Sequence, residues 1–138
     1  MDHVTKGLTH FRQLKEHVHR VLAADSWERD FTGLIASGVP AQRTISPLFA
    51  ALHSTSQIIR WHAVSCFGIA CAELARDGRG GVRVVLRRCT WSLNDESGGI
   101  GWGAPEAMGE ILASVPGLAE EYASILISFV LEREGACN

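Results

Sequence analysis

Arg79, Arg83 and Arg87 recur at every fourth position, and on a helix that spacing puts three guanidinium groups on one face. Arg76 and Arg88 lie nearby, so residues 76–88 carry five Arg against one Asp, a local charge of +4. Two readings of this stripe stand open. It is a solvated face paired with acids of the next helices, such as Glu106 or Glu110, or it is a docking stripe for an acidic partner protein. Residues 90–138 carry eight Asp and Glu against one Arg, a local −7. That segment would repel a polyanion, so nucleic acid is not an expected partner despite the arginines.

A second candidate is the run "SLNDESGGIGWGAPEAMGEIL" at 92–112. Residues 99–104 fit the G-x-G-x-x-[GA] dinucleotide pattern on paper, but that pattern carries meaning only after a strand and inside a βαβ unit. Here a helical pattern precedes it, Asp95 and Glu96 would repel a phosphate, and no Lys follows in P-loop spacing. What remains is a turn whose glycines supply positive φ and close helix approach, with Trp102 filling the core. The competing reading is a long turn that presents Asn94, Asp95, Glu96 and Ser97 to a partner, with Glu106 close by.

The other reactive residues form no constellation. Cys66, Cys71 and Cys89 lie among apolar neighbours, Cys137 near the end, and none makes a C-x-x-C pair, so reduced thiols are expected. His17 and His19 are two apart and face different ways on a helix. No H-E-x-x-H, G-x-S-x-G or Cys-His arrangement can be placed among the six histidines. The sequence therefore assigns no catalytic residue, no metal ligand and no cofactor.

These residues must be positioned by helices. Alternation of period two is nowhere sustained, whereas Val4, Leu8, Phe11, Leu14, Val18 and Val21 form one amphipathic stripe over 4–23. Ser26 looks like the N-cap of a second helix closed by Gly38, and Pro40 suits the first turn of a third that reaches His53. The run "STSQIIRWHAVSCFGIACAELARDG" predicts a fourth, apolar on most sides and deeply buried. Three more are expected at 81–93, 103–115 and 118–134. At 138 residues, 46% apolar and 20% charged, with net charge −2, the chain has the make-up of one all-α globular domain. No signal peptide is legible at residues 1–17 and no apolar run approaches membrane-span length, so the cytoplasm is the expected compartment, with no membrane partner.

The helices repeat. A shift of 41 residues lays "WHAVSCFGIACA" (61–72) on "WGAPEAMGEILA" (102–113), pairing Trp61 with Trp102, Ala63 with Ala104, Phe67 with Met108 and Gly68 with Gly109. The same shift pairs Ile45 with Leu86, Leu48 with Cys89 and Leu52 with Leu93, and a helix pair of this period is the HEAT/armadillo unit. The stretch "ISPLFAALHSTSQIIRWHAVSCFGIACAELA" (45–75) resembles a HEAT repeat of the HEAT-like style named after phycobilisome lyases. It has Pro47 inside the first helix, a polar turn, Arg60 opening the second helix, and Ala63 with Gly68. The segment is similar to a small bacterial HEAT-repeat family. At 94–113 Asp95 holds the turn-Asp position, but Gly101 stands where Arg60 stands one unit earlier, and Gly98 to Gly103 replace the short polar link.

The resemblance implies an α-solenoid that binds a protein partner without catalysis. It divides the chain into capping helices (1–38), two repeats (39–78 and 79–116) and the start of a further one (117–138). It further implies that Asp95 pairs with Arg60. Trp61, Phe67, Trp91, Trp102 and Met108 are expected in the core between units. The last helix, apolar at Leu118, Tyr122, Ile125, Leu126, Phe129 and Val130, is expected to be covered by another copy or by more of the solenoid. HEAT-repeat di-iron hydroxylases use His-Glu at helix starts, where this chain has Trp61-His62 and Trp102-Gly103. The alternative function, by analogy with HEAT-like lyases alone, is a small-molecule binder or an enzyme handling a tetrapyrrole-like cofactor.

Overall fold

The computed structural model describes residues 10–93 and 103–136. Among them are seven α-helices and no strand: α1 (Phe11–Ala23), α2 (Trp27–Ala36), α3 (Ala41–Ala51), α4 (Gln57–Leu74), α5 (Gly80–Leu93), α6 (Ala104–Ser114) and α7 (Ala119–Ala136). Single 3₁₀ turns, Ala75–Asp77 and Pro116–Leu118, follow α4 and α6. The domain is all-α, as the periodicity predicts.

Local chemistry sets the boundaries. Gly38 and Gly78 take φ of 112° and 117° just past helix ends, a backbone region that costs a Cβ-bearing residue but not glycine. Ser56 caps α4 by accepting the Ile59 amide at 3.3 Å. Ser26 occupies the N-cap position of α2, but its hydroxyl donates to Asp30 Oδ2 at 2.6 Å and caps no amide. Pro40 precedes the first turn of α3 as its N-cap, and Pro47 sits inside that helix.

α4 is the axis of the packing. Its most extensive contacts are with α6 and α3, and it also touches α1, α2 and α5. Ile59, Ala63, Val64, Cys66, Phe67, Ala70 and Cys71 are buried along it, which is why its apolar residues run round most of its circumference. Gln57–Asp77 is in fact long and apolar enough to cross a membrane by composition, contrary to the sequence expectation, yet here it is wrapped by other helices. α1 and α3 pack together, and α5 joins them through Arg88, which reaches Ser46 and Phe49 of α3. α6 packs on α4 and α5, α2 on α1 and α4, and α7 on α6.

Trp61 and Trp91 are corrections. They are 46% and 74% exposed, whereas Phe67 and Met108 are fully buried as expected. The reason is helical phase: each Trp stands two residues from a buried one, Ala63 or Cys89, about 200° round the helix from the core. Phe11, expected on the buried stripe of α1, is also exposed; Leu14, Val18, Val21 and Leu22 make that face. Trp102 lies outside the described residues.

Candidate functional site

The arginine stripe meets an acid of a following helix at one of its positions. Arg79 stands at the start of α5, its carbonyl accepting the Arg83 amide at 3.0 Å. Its guanidinium lies so close to Gly117 that any side chain there would overlap it. Arg83 Nη2 reaches Glu121 Oε2 of α7 at 3.5 Å, and Arg76 pairs within its own turn with Glu73 at 3.3 Å. Arg88 donates to Ser46 Oγ at 2.9 Å and lies over the Phe49 ring at 4.3 Å. Arg87 points outward. Glu121 is thus the acid that meets Arg83, while Glu110 is turned toward Gly68 of α4, where its Cγ would be 3.0 Å from an added Cβ. Both members of the Arg83–Glu121 pair are half-exposed, so it adds little stability.

Asn94, Asp95, Glu96 and Ser97 fall outside the described residues, and so does the expected Asp95–Arg60 pair. Arg60 itself donates from Nη1 to the Ser54 carbonyl at 2.7 Å, clamping the α3–α4 turn. Glu106 is half-buried in the first turn of α6, where the helix dipole favours a carboxylate. Gly103, before that helix, has φ 96° and packs on Leu52.

Cys66, Cys71 and Cys89 are buried and free. Burial pushes the Cys71 and Cys89 thiols up to about 12 and Cys66 further still, so they are inert hydrophobes in this fold. His62 is structural: its ring stacks on Trp27 at 4.4 Å, and Nδ1 lies 2.7 Å from the Leu22 carbonyl. Among the described residues no group of three or more His, Cys, Asp or Glu is gathered as a metal would require.

Two features were not read from the sequence. The first is a cleft of about 400 Å³ between α1 and α3, lined by Arg12, Lys15, Glu16 and His19 on one side and by His53 and Ser54 at its end. Pro47, Ala50 and Ala51 form its floor. The signal was present, since 12, 15, 16 and 19 share one helix face, but the small residues opposite are needed to leave the space. The second is the placement of the two exposed indoles. Trp61 lies in the second turn of α4, and Trp91 one turn beyond Arg88, alongside the end of α3. Trp61 is thus close in sequence to the turn joining α3 to α4, whose Leu52 meets Gly103 of α6, and Trp91 lies in the last turn of α5. Ile58, also exposed, lies in the first turn of α4.

Comparison of the chain with protein-family models, with curated proteins and with solved structures finds no match.

Proposed function

We propose that this chain is a non-enzymatic HEAT-like binding module that docks a protein partner through Trp61 and Trp91. The carrying observation is that two indoles and Ile58 are solvent-exposed on the packed helices α4 and α5. Exposed Trp is costly to leave in water and is enriched where partners anchor.

The repeat reading has support of its own. Ile45 and Leu86, Leu48 and Cys89, Phe67 and Met108, and Cys71 and Leu112 are pairs 41 residues apart, and every member is buried. Gly68 of α4 faces Ser114 and Glu110 of α6, and Gly109, one period later, faces Leu126 of α7. Such recurrence is what a stack of helix pairs requires. The resemblance to HEAT-like proteins rests on these residues. The lyase-like alternative rests on analogy alone and takes second place.

α7 offers a second surface. Ile127 and Leu131 are exposed on it while Leu118, Tyr122 and Leu126 face the core, so a second copy could cover the outer side. Affinity capture from the source cells with the full chain tests the main reading. A partner retained by the wild type and lost by Trp61→Ser/Trp91→Ser supports it; retention by both rejects the indole surface.

A further inference from the structure

We infer that the α1–α3 cleft is a binding site for a small organic anion, a carboxylate or phosphate carried on an apolar body. The inference is independent of the docking function proposed above, since it uses none of the same side chains.

The cleft is built by position and by size. Leu14, Val18, Val21 and Leu22 turn one face of α1 into the core, which leaves Arg12, Lys15, Glu16 and His19 on its other side. Across from them α3 offers Pro47, Ala50 and Ala51, too small to fill the groove, and the chain then turns so that His53 and Ser54 close one end. The resulting volume, about 400 Å³, lies within the range of small-ligand sites, and its surface is mostly apolar at the floor with polar groups at the rim.

The polar groups are nearly all donors. Arg12 and Lys15 offer donors and no acceptor, the two imidazoles can each donate, and the Ser54 hydroxyl, whose oxygen accepts the Ser56 amide at 3.1 Å, keeps its proton for a ligand. Glu16 is the single carboxylate. Among the described residues, none of Arg12, Lys15, Glu16, His19 and His53 makes a side-chain hydrogen bond or ion pair, although Glu16 is one turn from both Arg12 and His19. Cations that ignore an adjacent carboxylate are available to an anion in the groove, where Arg can engage it in bidentate fashion. The apolar body would lie on Pro47 and Ala50, with the imidazoles at its edges.

The test is a titration of the full chain with benzoate, phenyl phosphate, inorganic phosphate and benzyl alcohol, followed by NMR at the histidine ring protons. Saturable shifts of His19 and His53 with benzoate or phenyl phosphate are expected, with His62 unmoved as an internal control. Arg12→Gln/Lys15→Gln should weaken binding at least tenfold. Ala50→Leu should block the aromatic anions by filling the floor, and all these positions are at the surface or beside it, so folding can be checked by the unchanged remainder of the spectrum. Equal response to benzyl alcohol, absence of saturation, or indifference to the Arg12/Lys15 variant would overturn the site. Binding of an oligoglutamate peptide but of neither aromatic anion would overturn the small-ligand assignment.

Discussion

Trp27 of α2 and His62 of α4 stack ring on ring, centroids 4.4 Å apart and planes 15° from parallel. The contact is tied to a third helix, because His62 Nδ1 lies 2.7 Å from the Leu22 carbonyl at the end of α1. A carbonyl only accepts, so Nδ1 carries the hydrogen and the tautomer is fixed. One imidazole therefore joins three helices around the α1–α2 turn. His62→Ala should cost about 1–3 kcal/mol, the sum of a lost aromatic contact and an unsatisfied half-buried carbonyl. Denaturant unfolding checks this, and a change within error would remove the ring from the list of structural contacts.

The exposed and buried aromatics should separate cleanly. Trp91→Ser should change stability by no more than about 0.5 kcal/mol, as for a surface site without partners, whereas Phe67→Ala should cost about 3–5 kcal/mol. Phe67 is fully buried and meets Phe49 edge to face at 4.8 Å, with Arg88 on the other ring. Equal losses from the two substitutions would return Trp91 to the core.

What was legible in the sequence follows from how local each signal is. Helix number and most boundaries came from periodicity and caps, which act within a few residues; Gly38 does what its type suggests, whereas the Ser26 hydroxyl caps no amide. Trp61 and Trp91 lie outside the core because helical phase, not residue size, decides which side chain a helix buries. That the arginine face meets an acid of a following helix was legible from charge, but which acid was not, because Glu121 lies 38 residues from Arg83, a distance over which spacing says nothing. The α1–α3 cleft depends on two small alanines opposite a charged helix, and that pairing exists only once the fold is formed.

Gly103 is a sharper test of the segment before α6. Its φ of 96° disfavours any side chain, and an added Cβ would sit 2.9 Å from Leu52 Cδ2. Gly103→Ala should lose about 1–3 kcal/mol from backbone strain and overpacking together. Pairing it with Leu52→Ala should recover only the packing part, which a double-mutant cycle measures.

The buried thiols predict an alkaline limit. Burial raises Cys71 and Cys89 to about 12, with each other's proximity adding to Cys89, so the folded state keeps protons that the unfolded chain releases from about pH 8.5 upward. Their contribution is complete below that pH and is lost as pH climbs toward 12, at a slope of about 1.4 kcal/mol per pH unit for each thiol. Cys71→Ala should make the alkaline slope shallower, whatever its effect at neutral pH. An unchanged slope would mean that the thiol is not held protonated by the fold.

The outer face of α7 makes the last prediction. Ile127 and Leu131, one turn apart, are 58% and 60% exposed while Tyr122 and Leu126 pack inward. If a second copy covers this face, sedimentation should show a concentration-dependent dimer, and Ile127→Glu/Leu131→Glu should return it to monomer without lowering the unfolding midpoint of the monomer. Salt separates this association from one driven by charge. α7 carries Glu120 and Glu121 near its start, and Glu132 and Glu134 against one Arg near its end. Two such helices side by side bring acids together in either orientation. Raising ionic strength screens that repulsion and leaves the apolar contact intact, so the dimer should tighten with salt. A monomer at all concentrations, or a dimer that salt dissolves, would reject the α7 interface.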